Sequence, residues 1–273
     1  MRNLVLGAGL AGALLVPLRA HAGLTITIQR GSDPVSTLYI EGDQFKADEP
    51  KHEPATSVIV DAKTKNIVMV DASKRTYTEL TEEDRKRMRG QMDAMRAQMQ
   101  ERMKNMPPAQ RAKMEAMMGP SGGADSGKPH VWKFESMGQK KTINGFACEM
   151  YRVSEDGQLQ AEQCVSPWSA GLAKKSDFAG IQKFVQSMTA DFGVERTGSS
   201  SIFNRLEQAP GIPISNVQIE EDGKRGEESQ VKSIKRGSIP AAVFQVPAGF
   251  TKTERPMFGP GAGGHHHGPP PGP

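Results

Sequence analysis

The chain reads as a mainly β protein of the α+β kind, an antiparallel sheet with helices set apart from it, and three observations carry that reading. Short runs of alternating apolar and polar residues recur between turn residues. At Thr81 the period changes to that of a helix. The two cysteines, Cys148 and Cys164, stand symmetrically about a glycine turn, as the arms of a β-hairpin would place them.

The first residues read as a secretory leader. Arg2 precedes the apolar run Leu4 to Leu18, and Ala20-His21-Ala22 before Gly23 makes a cleavage site between Ala22 and Gly23. The run is too short for a comfortable transmembrane span, and no later segment approaches the roughly 20 apolar residues one needs. With no cysteine at position 23, the lipid-bearing residue of a bacterial lipoprotein is absent. The expected product is periplasmic or secreted. Cleavage removes Arg2 and Arg19 and no acid, leaving 33 basic against 31 acidic side chains. So small an excess argues against nucleic-acid binding. Hydrophobic residues make up 36% of the chain and 29 residues are glycine, which implies one compact domain plus segments outside any core.

From Leu24 the elements follow in order. Leu24, Ile26 and Ile28 alternate with Thr25 and Thr27, a Gly-Ser-Asp-Pro turn follows, and Ser36 to Ile40 leads to Glu41-Gly42-Asp43. Further runs at 56–60, 66–70 and 76–80 complete an expected meander of five antiparallel strands. Thr81-Glu82-Glu83-Asp84 supplies an N-cap with acids in the first turn, so a helix is expected to about Asn105, where Pro107-Pro108 stops it. A shorter helix over 109–118 would complete an inserted helical hairpin spanning 81–118, and 119–130, rich in Gly, Ser and Pro, reads as a flexible linker.

Strands resume at 131–136 and 139–143 and lead into the cysteine hairpin. A three-residue loop Glu155-Asp156-Gly157, with Gly157 in the left-handed conformation, would pair Val153 with Leu159 and set Cys148 opposite Cys164. Facing β-carbons in such a pair lie roughly 4.5–5.5 Å apart, close enough for a disulfide, and an exported protein would keep it closed. Phe178, Ile181, Phe184, Val185 and Met188 recur on one face of an expected helix from Asp177 to about Asp191, capped by Ser176, whose task is to cover the sheet. Residues 212–220 and 228–234 flank Asp222-Gly223 as another hairpin, and 242–246 reads as a short last strand. The core domain would therefore cover 23–252, and 253–273 reads as a disordered Gly/Pro/His tail.

Several of these stretches resemble a known family. They are Leu38-Tyr39-Ile40-Glu41-Gly42-Asp43, Ile67-Val68-Met69-Val70-Asp71 with Arg75-Thr76-Tyr77-Thr78-Glu79, Ile143-Asn144-Gly145-Phe146-Ala147-Cys148-Glu149, Ser166-Pro167-Trp168, and Phe244-Gln245-Val246-Pro247-Ala248-Gly249-Phe250. Together, over 24–252, they resemble the secreted bacterial domain-of-unknown-function family numbered forty-four twelve. That family is similar in strand pattern to periplasmic lipoprotein carriers of the LolA and LolB type. The resemblance implies a curved antiparallel half-barrel with a helical lid and brings no catalytic residues with it. Lipid binding is a weaker implication, because fold does not fix function.

The remaining signal is a methionine stripe. Met88, Met92, Met95, Met99, Met103 and Met106 are spaced by four, three, four, four and three, which confines them to an arc of roughly 80°. No leucine shares the helix. The stripe admits three readings: packing on the sheet or on Met114, Met117 and Met118 of the shorter helix; an adaptable surface for a lipid, lipoprotein or apolar peptide; or thioether ligation of cuprous copper, with Met114, Met117 and the tail residues His265, His266 and His267 as further metal ligands. His52 and His130 stand alone in polar surroundings, and Trp132 and Trp168 read as packing anchors. No G-x-S-x-G elbow, H-E-x-x-H, P-loop or dinucleotide fingerprint is present, Ser199-Ser200-Ser201 reads as loop, and Glu82-Glu83 and Glu220-Glu221 read as solvated charge, so neither an enzyme nor a cofactor is expected. A structural or partner-binding envelope protein is the further alternative.

Overall fold

The structure, a computed structural model, describes residues 23–50, 56–104, 106, 107, 110, 131–192, 205, 206, 208–220 and 222–254. Outside them lie the expected leader with Ala22, the stretch expected to form the shorter helix with Met114, Met117 and Met118, the expected linker 119–130, His265, His266 and His267, His52, His130 and Ser199–Ser201.

Among the described residues twelve strands form one open, curved sheet. They are β1 (Gly23–Arg30), β2 (Ser36–Glu41), β3 (Gln44–Glu49), β4 (Thr56–Asp61), β5 (Asn66–Asp71), β6 (Thr76–Leu80), β7 (Trp132–Ile143), β8 (Phe146–Glu155), β9 (Gln158–Pro167), β10 (Gly211–Ile219), β11 (Arg225–Gly237) and β12 (Thr251–Lys252). Their order is β12-β6-β5-β4-β3-β2-β1-β11-β10-β9-β8-β7, and every neighbouring pair is antiparallel except β12 with β6. Helix α1 (Glu82–Lys104) leaves β6 near one edge, and the chain re-enters the sheet at β7, the opposite edge. A connection of that span needs a long insertion, which gives the methionine-bearing helix its place in the chain.

The five-strand meander holds six strands, since β3 lies between the expected second and third. Its alternation is present but weak in apolar residues: Phe45 packs into the main core, whereas Lys46 and Asp48 pair with each other at 3.0 Å on the other face. The two strands expected at 131–136 and 139–143 are one strand, β7, whose register against β8 shifts between Ser136 and Lys140. Gly138, at φ 68°, takes up the bulge, and its N–H donates to the Ser136 hydroxyl at 3.0 Å. The strand expected at 242–246 is instead a 3-10 turn, Ala241–Phe244, opened by Pro240. This segment runs over the outer face, where Ile239 and Phe244 bury against Ile59 and Val70, so its apolar residues act as anchors. The last strand among the described residues is β12.

The main core fills the inner face of the sheet, with Leu24, Ile26, Ile40, Val60, Met150 and Ile214 among its buried residues. Helix α2 (Ala179–Phe192) covers it. A 3-10 turn, Lys175–Phe178, precedes this helix, so the expected start at Asp177 is the tail of that turn. Asp177 still serves the entrance, accepting from the Lys174 N–H at 2.7 Å and pairing with Arg236. Phe178, Ile181, Phe184 and Val185 are buried, Phe184 meets Phe45 edge-on at 5.7 Å, and Phe178 meets Trp168 at 6.2 Å. Gly180 allows the helix down onto the β2–β3 turn, for a β-carbon there would stand 2.7 Å from the Gly42 carbonyl oxygen.

The β8–β9 hairpin forms with a register displaced from the expected one. Asp156 and Gly157, at φ 50° and 87°, make a two-residue turn of the primed kind, which pairs Glu155 with Gln158. A bulge at Val153/Ser154 then adds a residue to β9, and Cys164 faces Met150. The slip totals two positions, which preserves the face on which each side chain points. Cys148 therefore remains on the same side as Cys164 and bridges to it diagonally, with 5.4 Å between α-carbons.

Candidate functional site

The methionine stripe is built from its helix cap upward. The Thr81 hydroxyl accepts from the Asp84 N–H at 3.1 Å, and the Asp84 carboxylate accepts from the Thr81 N–H and hydroxyl at 3.0 and 2.7 Å. These bonds satisfy orphan donors of the first turn and hold the Asp84 carboxyl below its ordinary range. Lys65 and Lys86 do the same to Glu82. Arg85 is fully buried, and its Nη1 donates to the Lys65 carbonyl on the β4–β5 turn. The base of α1 is thereby fastened to the sheet, and the helix touches α2.

Beyond that base the stripe emerges. Met88, Met103 and Met106 are half-buried, while Met92, Met95 and Met99 are 39%, 64% and 42% exposed. Met69, on β5 on the same side as Ile67, is also 38% exposed. Sequence reasoning did not single out Arg85 or Met69. Arg85 falls three residues before Met88 and so at the edge of the stripe, which was the available signal for an anchor.

The inner face beneath α2 is packed with side chains. At the other end of the sheet the β7–β8 turn, Asn144-Gly145 at φ 51° and 85°, folds over it, and the Asn144 amide donates to the Val231 carbonyl on β11 at 2.9 Å. The Cys148–Cys164 disulfide sits at the root of this tip. Cavities of about 400 and 450 Å³ lie elsewhere, the first between β3–β5 and Pro247 and Phe250 on the outer face, the second beside Lys141, Ala147 and Pro167. Both tryptophans anchor packing. Trp132 joins Val153 and Ala161 under the Arg205 guanidinium, 4.5 Å from its ring, and Trp168 donates to the Ala209 carbonyl at 2.9 Å. Burial of Arg205 lowers its pKa.

Among the described residues no group of three or more His, Cys, Asp or Glu side chains is arranged to hold a metal ion, and no helix is long and apolar enough to cross a membrane.

No curated protein matches the chain. Among solved structures, an uncharacterized conserved protein from Thermus thermophilus is 9% identical with a TM-score of 0.42, over 86% of this chain and 91% of that one. MucB in complex with MucA(peri) is 13% identical with a TM-score of 0.32, over 84% of this chain and 54% of that one. The Pseudomonas aeruginosa MucA/MucB complex gives 13% and 0.33, over 84% and 56%. The model for the family described as "Domain of unknown function (DUF4412)" matches residues 84–250, more than half of the sequence, and the chain belongs to that family.

Proposed function

We propose that the protein is a non-enzymatic component of the bacterial envelope that binds an apolar ligand, a lipid, the acyl part of a lipoprotein or an apolar peptide, against the methionine face of α1. The observation that carries this reading is the exposure of Met92, Met95 and Met99 on one face of a helix whose base is fastened down. From Met88 to Met103 the stripe is about 22 Å long, enough to lie along an extended apolar chain. Unbranched, polarizable methionine side chains re-pack around varied partners, and open apolar surface of this kind marks interaction sites. The interior under α2 is packed with side chains, which favours the open α1 face over the middle of the sheet as the place for such a ligand. Export to the periplasm, read from the leader, fits the closed disulfide.

A fluorescent fatty acid should bind the mature protein and be released by the combined substitutions Met92→Ser, Met95→Ser and Met99→Ser, with the helical circular dichroism retained. Absence of binding by any apolar probe at micromolar protein would overturn the reading.

Cuprous copper is the second reading, favoured by exposed thioethers at i, i+3 and i+7 on one helix face. Anaerobic titration against a competing chelator decides it, and unchanged affinity after deletion of 81–118 and 260–273 excludes it. Capture of an envelope partner that needs 81–118, without any affinity for lipid probes, would instead support a structural or partner-binding role.

A further inference from the structure

We propose that Met92, Met95 and Met99 form an oxidant-reactive site, and that their conversion to sulfoxides switches off the apolar face of α1. The first half rests on exposure and sulfur chemistry alone. The second rests on the apolar-ligand reading above.

The chain has only two cysteines, and both are held in the disulfide, so no thiol competes for oxidant. Thioethers are the sulfur groups left to react, and the sequence holds 15 methionines. Their surroundings differ sharply. Met150 is 8% exposed in the main core, whereas Met95 is 64% exposed and Met92 and Met99 flank it on the same face. A two-electron oxidant of the hypohalous acid or peroxide class reaches these three from solvent. With hypochlorous acid the oxygen passes to sulfur, the S=O bond forms as the O–Cl bond breaks, chloride leaves and the proton is released to water. Sulfur loses two electrons and chlorine gains them.

The change in surface is large because no other apolar residue type is available on this face. No leucine, isoleucine, valine or aromatic residue occurs in α1. Each sulfoxide replaces a weakly polar thioether with a strong hydrogen-bond acceptor. Three adjacent conversions leave the middle of the stripe polar, while Arg85 and the Thr81–Asp84 cap, which contain no sulfur, continue to hold the helix base. The modification is therefore a change of surface rather than of fold, and a methionine sulfoxide reductase chemistry reverses it.

The test treats the folded, disulfide-closed mature protein with increasing hypochlorous acid and maps oxygen addition by peptide mass spectrometry. Met92, Met95 and Met99 are expected to gain oxygen at least about fivefold faster than Met150. Equal rates in the folded protein overturn the site, whatever the outcome of ligand binding. The same samples are then titrated with the fluorescent fatty acid: loss of affinity on oxidation and its return after sulfoxide reduction support the switch, and affinity unchanged by oxidation overturns it. A variant with Met92→Leu, Met95→Leu and Met99→Leu has no thioether at these positions. Its probe affinity, whatever its starting value, is expected to be unmoved by oxidant, and an oxidant response equal to that of the unsubstituted protein overturns the assignment to these three residues. Failure of the probe to bind before oxidation would count against the ligand reading and overturn the switch, leaving the mapped reactivity standing.

Discussion

Opening the Cys148–Cys164 bridge is expected to destabilise the protein by about 3 kcal/mol and to loosen one end of the sheet first. The cross-link spans a sequence separation of 16. For a closed loop of that length, the loss of chain entropy in the unfolded state corresponds to about 3 kcal/mol at room temperature. The position of the bridge determines where the loss is felt. The β8–β9 ladder runs from the turn to Glu149 and Val165, and Cys148 lies one residue beyond, at the root of the tip that carries Asn144 over to Val231. Equilibrium urea unfolding of the mature protein, oxidised against fully reduced, measures the global term. With a slope of about 2 kcal/mol/M, the midpoint should fall by about 1.5 M. Hydrogen exchange should show Phe146 to Cys148 protected in the oxidised protein and exposed on reduction. The pair Cys148→Ala with Cys164→Ala should behave like the reduced protein, with a further loss for two buried sulfur atoms. A midpoint shift below about 0.3 M, with unchanged exchange at the tip, would refute the argument that this bridge restrains the unfolded chain and anchors the tip.

Three further outcomes follow from local contacts. Because the folded Asp84 carboxyl is held below its ordinary range by the Thr81 hydroxyl and N–H, its contribution is complete above the unfolded value near pH 4 and is lost as pH falls through the folded one; helical signal should fall in that acid window, and Thr81→Val should flatten this dependence. Gly180→Ala places a β-carbon against the Gly42 carbonyl and should cost about 1–3 kcal/mol in thermal or urea unfolding. Gly90→Ala meets nothing within 4 Å on α1 and should instead stabilise the helix by about 0.5–1 kcal/mol, so equal effects at the two glycines would contradict the close approach of α2 to the β2–β3 turn.

Much of the architecture was legible because it depends on neighbours along the chain. The Thr81 cap, the helix to Lys104 and the apolar face of α2 rest on signals spread over a few residues, and each appears within a residue or two of its expected place, save for the 3-10 entrance to α2. β3 escaped notice because its outer face carries a lysine and an aspartate that satisfy each other, which dilutes the apolar alternation that marks a strand. The 242–246 segment has apolar residues at strand-like spacing, yet it serves the outer face as a turn with anchors, a use invisible to periodicity. The cysteine pairing held although its register did not, since a shorter turn and a bulge together moved the strands by an even number of residues.

Taken alone, the order of residues decides the long helices, most of the strands and their faces, and the two sulfurs that share a side, because propensity, capping and the periods of 2 and 3.6 act between near neighbours. It does not decide that β1 lies beside β11, that β6 and β7, on either side of the insertion, stand near opposite edges of the sheet, or that Met92, Met95 and Met99 stand open to solvent. Those outcomes depend on which surfaces meet once the chain has closed its longest loops, and burial is a property of that meeting rather than of any single segment.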